Sequence, residues 1–160
     1  SGEYDALEEP WRSRLFEIIE LTERPGDVLA ACARGELLAQ LLSAIKKAAE
    51  EEQKALLDKE ALDENDETLD ARVNARYREL RTAVVRTLLL WRRDLLLAVC
   101  GVDASHCHLA DHGELILGRA SGMSCSEALR AVGVIEEINR RLERNLGEKA
   151  VLTAGMNELA

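Results

Sequence analysis

The chain is poor in the residues that favour sheets. Aromatic residues make up 3% of its 160 positions and there are only two prolines. Strands favour β-branched and aromatic side chains, whereas Leu, Ala, Glu and Arg, which dominate here, favour helices. The four cysteines, Cys32, Cys100, Cys107 and Cys125, form no CxxC pair. They read as reduced thiols in a chain with no secretory features. A GxxxxGK[ST] phosphate loop, a GxGxxG turn, an HExxH pair and an EF-hand loop are all missing. The opening SGEYDALEEP is acidic and lacks the apolar stretch of a signal peptide.

Positive charge is the scarcer sign, with 21 Lys and Arg against 30 Asp and Glu and a net charge of −9. Phosphate backbones are held by clustered cations, so direct nucleic-acid binding is not expected. Long uninterrupted apolar runs are lacking too. The richest apolar stretch, TLLLWRRDLLLAVCG at 87–101, carries Arg92, Arg93 and Asp94 at its centre. A spanning helix needs about 20 mostly apolar residues. Charges near its middle cost roughly 2.5–3.5 kcal/mol each. The stretch reads as a core helix, and the chain as soluble and cytoplasmic, with no membrane contact.

What is present is helical periodicity. Trp11, Leu15, Ile18 and Ile19 mark a first helix over 7–22, and ERPGD at 23–27 breaks it. Asp27 suits the cap of a short helix through Val28, Leu29 and Cys32, with a bend at Gly35. Leu38, Leu41, Ile45, Ala49 and Leu56 mark one arm of a long hairpin over 36–100. Leu69, Val73, Tyr77, Leu80, Val84, Leu88, Trp91, Leu95 and Val99 mark the other. DENDE at 63–67 is the turn between them. Folding about Asn65 pairs the acidic arm with the arginines of 72–93, bringing Glu51 near Arg78 and Asp58 near Arg72. Such exposed pairs are worth less than about 1 kcal/mol each.

Residues 102–160 hold the C-terminal helices. Ser124 and Glu127 fit a capping box for a helix burying Ala128, Val132, Ile135, Ile138 and Leu142. Val151, Leu152, Met156 and Leu159 mark a last helix. The chain is therefore expected to be all-α, a single-domain bundle of about five to six helices with a long antiparallel hairpin.

One segment has a metal-like composition: His106, Cys107, His108 and His112, with Cys125 as a possible further thiolate. Its spacing matches no established zinc pattern, and an ordinary polar loop is the simpler reading. No cofactor or metal is expected, and no catalytic group stands out. On a helical wheel the 87–101 helix is apolar over most of its circumference, which makes it the central helix. Asp94 is then buried and needs a partner. Arg140, Arg141 and Arg144 are the candidates.

Two stretches taken together carry a resemblance. LLWRRDLLLAVCG at 89–101 and ALRAVGVIEEINRRLERNLGEKAVL at 128–152 resemble the C-terminal domain of bacterial DNA polymerase III clamp-loader subunits, delta-prime foremost and gamma/tau next. The resemblance spans residues 84–160, and over 7–83 it rests on helical layout. Its Arg-Asp pair falls on Arg93 and Asp94 and its late Asn on Asn145, with Trp91 as the aromatic anchor. Gly147 stands where the family often has a second Asn. In that family the helical domain follows ATPase-type domains and packs with its counterparts into a collar. The resemblance implies a non-catalytic oligomerisation domain, not an enzyme, whose partners are other clamp-loader subunits in DNA replication. Without the resemblance, the residues suit an unrelated helical scaffold or protein-interaction domain first and, with the histidine segment engaged, a metal-binding bundle second.

Overall fold

The computed structural model describes residues 6–24, 26–60, 66–144 and 146–159. These residues form an all-α bundle with six α-helices and no strand among them. They are α1 (Trp11–Thr22), α2 (Val28–Glu60), α3 (Asp66–Val99), α4 (Gly113–Ala120), α5 (Cys125–Glu143) and α6 (Glu148–Asn157). Two 3-10 turns, Ala104–His106 and Ala110–His112, lie between α3 and α4. The centre of the expected hairpin turn, including Asn65, falls outside the described residues, as does Asn145.

A single core draws on every helix: Leu15 and Phe16 from α1, Leu38 from α2, Leu80 from α3, Ile116 from α4, Ile135 from α5 and Leu152 from α6. The apolar stripe expected on α3 is buried from Val73 to Leu95, with Trp91 and Leu95 fully enclosed. Neighbours flank α3 on several sides, with α2, α4 and α5 all packing against it. Phe16, absent from the expected α1 stripe, is buried there as well.

One expectation fails in α2. No short helix ends ahead of a second one at Gly35, and the helix runs unbroken from Val28 to Glu60. Asp27 does cap it, accepting from the Ala30 N–H at 3.0 Å. Gly35 serves a different purpose, which is close approach to α6. A Cβ built there lies 2.8 Å from Thr153 Cα and 3.1 Å from the Leu152 carbonyl oxygen. These are backbone atoms, so relief requires moving a whole helix. Gly35→Ala should therefore lower stability by about 1–3 kcal/mol, the usual range for overpacking. Gly133→Ala is the control. It sits in α5 with nothing within 4 Å of a new Cβ, so helix propensity should make it stabilising by up to about 1 kcal/mol. Urea unfolding of both variants checks the opposite signs.

The long helices run antiparallel, as expected, but the ion pairs differ. Arg76 bonds Glu52 at 3.0 Å and Arg72 bonds Glu60 at 3.3 Å, in place of Glu51–Arg78 and Asp58–Arg72. The register is close to the expected one, but partner choice depends on which rotamers meet. Other arginines of 72–93 leave the hairpin. Arg81 bonds Glu148 at 2.7 Å. Burial and the same Glu148 push the Tyr77 hydroxyl upward in pKa. Both contacts tie α3 to α6. Among the described residues, the helix long and apolar enough to cross a membrane is α2, not α3. Leu38, Leu41, Leu42 and Ile45 of α2 lie in the core.

Both ends of the α3–α5 connection are firmly capped. At the C-terminus of α3, Gly101 adopts φ +87°. Its N–H bonds the Ala98 carbonyl and the Val102 N–H bonds the Leu97 carbonyl, both at 3.0 Å. This pattern is a Schellman motif, which needs the left-handed residue that glycine supplies. At the start of α5 the expected capping box forms: the Glu127 N–H donates to Ser124 Oγ at 3.2 Å, and the Ser124 N–H donates to Glu127 Oε2 at 2.7 Å. Ser124→Ala should cost about 1 kcal/mol in thermal or urea unfolding. The Ser124 backbone N–H also holds the Glu127 carboxyl below its ordinary pKa. That contribution is complete above the unfolded carboxylate's pKa. It is lost as pH falls through the lowered folded value.

Candidate functional site

The WRRD segment of α3 splits among four environments. Trp91 is fully buried, and its indole N–H has no hydrogen-bond acceptor. Arg93 faces solvent and reaches Glu136 of α5 at 3.6 Å. Asp94 is completely buried, as expected, but its partner is not an arginine. Its Oδ2 accepts from the Leu109 N–H at 2.7 Å. Its Oδ1 accepts from the His108 N–H at 3.0 Å and lies 3.0 Å from His108 Nδ1. The carboxylate thus anchors the segment after the first 3-10 turn, supplying acceptors that an isolated loop backbone would lack. Arg140 and Arg141 are occupied elsewhere, at 2.7 and 3.0 Å from Glu137 in their own helix. Arg144, the third candidate, is exposed at the end of α5.

The histidine segment is dispersed by this anchoring. His108 is turned to Asp94. Cys107 is buried, with its thiol 3.9 Å from the Asp94 carbonyl oxygen and pushed up in pKa by burial. His112 stacks on Phe16 with ring centroids 3.7 Å apart and planes 7° off parallel. Arg12 donates to the neighbouring Asp111 at 2.9 Å. Among the described residues, no three His, Cys, Asp or Glu side chains converge to hold a metal ion. The metal-binding alternative therefore lacks the geometry it needs: Cys107 and His108 are both drawn to Asp94, His112 stacks on Phe16, and His106 is exposed. A cleft of about 680 Å³ lies beside this segment, lined by Glu20, Asp111, His112 and Glu114.

Sequence reasoning missed a second buried polar centre. Glu23 follows the last turn of α1 and is nearly enclosed. Arg92 of α3 bonds its carboxylate directly. Arg119 of α4 lies 3.3 Å away and Arg34 of α2 lies 4.0 Å away. Arg34 also donates to the Thr22 carbonyl at 3.0 Å. Burial holds the Arg92 guanidinium down at about 10 despite the nearby carboxylate, and it lowers Arg34 as well. Four helices thus meet around one acidic side chain. Arg92, expected on a solvated face, is therefore internal. The signal available in sequence was an arginine at the centre of an apolar helix, which demands a buried anion. Nothing local to ERPGD identifies Glu23 as that anion.

Comparison with protein-family models, with curated proteins and with solved structures gave no match.

Proposed function

We propose that this chain is a non-catalytic oligomerisation domain of a DNA polymerase III clamp-loader subunit, the collar domain, with delta-prime the favoured subunit type. It supports assembly of the complex that loads the sliding clamp. The observation that carries the reading is the division of labour in WRRD, the segment on which the family resemblance rests most heavily. Trp91 fills the core, Arg92 and Asp94 each fix an internal joint, and Arg93 is left at the surface. A motif used this way builds a rigid helical block. Such a block suits packing against other subunits.

Surface leucines and one valine add support. Leu21, Val28 and Leu29 flank the α1–α2 turn, and Leu29 is 85% exposed. Leu117 and Leu129 are exposed on α4 and α5. Apolar side chains that face solvent in a lone domain suit burial between subunits.

The test is assembly. The chain, mixed with the other clamp-loader subunits of its organism, should elute with them as a heteromeric complex in size-exclusion chromatography with light scattering. Leu29→Glu should weaken that complex while leaving the fold intact. The coding sequence upstream should encode ATPase-type domains. An upstream region without them, or a chain that never joins the complex, refutes the reading.

An unrelated helical scaffold is the second reading. It is favoured by the outer hairpin, where Gln53, Leu57 and Val73 are buried between two strongly charged faces. A stable self-dimer that persists in the presence of clamp-loader subunits would select it.

A further inference from the structure

Cys100 and Cys125 come from opposite ends of the α3–α5 connection, yet their sulfurs lie 4.0 Å apart. Both side chains are exposed. Their backbones are fixed independently, Cys100 by the Schellman motif around Gly101 and Cys125 by the capping box at Ser124. A disulfide requires the sulfurs to close to about 2.05 Å. Both sulfurs sit on exposed side chains, and neither cap bond uses a cysteine side chain. The other two thiols are placed differently: Cys107 is buried against Asp94, and Cys32 is exposed on α2.

We propose that Cys100 and Cys125 form an oxidative modification site, at which a hydroperoxide converts the two thiols into an intramolecular disulfide. The contact with the Cys125 thiol raises the pKa of the Cys100 thiol. Cys125 is the first residue of α5, where a helix N-terminus favours a thiolate, so Cys125 attacks first. Its thiolate sulfur bonds the distal peroxide oxygen, the O–O bond breaks, and hydroxide (alkoxide from an organic hydroperoxide) leaves and is protonated. The product is a sulfenic acid on Cys125. Cys100, losing its proton, then attacks that sulfur. The S–S bond forms, the S–O bond breaks, and a second hydroxide leaves as water. With hydrogen peroxide, two thiols and one peroxide give one disulfide and two waters, and two electrons pass from sulfur to oxygen. The bond closes a loop between residues 25 apart in sequence. It staples the connection that carries the Asp94 anchor and α4, and it is independent of the proposed assembly role.

The experiment treats the whole chain with hydrogen peroxide and reads intact mass, non-reducing peptide maps and melting temperature. The expected product is a monomer lighter by two hydrogens, with the cross-link mapped to Cys100 and Cys125. Its melting temperature should rise by roughly 5–10 °C, as expected for a loop of this length in a domain of this size. Dithiothreitol should reverse both changes. Cys32→Ser should react as the parent does, while Cys100→Ser and Cys125→Ser should form no intramolecular cross-link. In Cys100→Ser, dimedone should trap the sulfenic acid on Cys125. Cross-linking between chains through Cys32, or oxidation to sulfinic acid with no internal disulfide, would overturn the proposal.

Discussion

Replacing Asp94 with alanine should destabilise the chain by about 3–5 kcal/mol. The carboxylate accepts the part-buried His108 N–H at 3.0 Å and the buried Leu109 N–H at 2.7 Å. Removing it leaves these donors without acceptors, and the cost of each unsatisfied buried group is about 1–3 kcal/mol. Asp94→Asn preserves the shape but retains only one acceptor oxygen. Its NH₂ group meets the second amide donor head-on, so a loss of about 2–3 kcal/mol is expected. Denaturant unfolding measures both. Amide exchange provides the discriminating readout, because protection of the His108 and Leu109 amides should fall well before that of the α3 core. Equal protection in mutant and parent, with stability within about 0.5 kcal/mol, would show that the anchor contributes nothing. In the proposed collar role, the same variant should also weaken assembly, because α4 would lose the anchored turn that leads into it.

That prediction depends on a feature only half legible in sequence. The burial of Asp94 follows from the wheel of 87–101, where leucines occupy nearly every direction around it. Its partner does not follow, because backbone N–H groups carry no sequence label. Arginines are the visible candidates for pairing a carboxylate, yet Arg140 and Arg141 are satisfied within their own helix by Glu137. The same distinction runs through the fold. Periodicity reveals the helices and the buried faces of α3 and α5. The capping box at Ser124 is equally legible, because its parts lie three residues apart. Gly35 misleads because glycine has two uses. Within one segment it signals flexibility, whereas here it marks a long-range contact with Thr153. The hairpin register is nearly legible from opposed charge. The pairs themselves are not, since long side chains can reach several neighbours.

Glu23 shows where local reading fails and leads to an equally large effect. Glu23→Ala should cost about 3–5 kcal/mol, the range for breaking a buried ion pair by removing one partner. Arg92 and Arg34 are almost wholly enclosed, so neither can recover its hydration when the carboxylate is lost. Arg119 is about a quarter exposed at 3.3 Å and can turn toward water, so Arg119→Ala should cost only about 1 kcal/mol. The two enclosed arginines should behave differently when they are themselves replaced. Arg92→Met removes both a charge and its desolvation penalty. Combined with Glu23→Leu, it should recover much of the loss of Glu23→Ala, since apolar replacements of buried pairs are often neutral or stabilising. A thermodynamic cycle over Glu23 and Arg92, measured by urea unfolding, tests this directly. Additive effects would mean that the carboxylate answers mainly to Arg34 and Arg119. A strong positive coupling would place the joint between α1 and α3. In that case the central arginine of WRRD holds the first helix of the bundle onto its core.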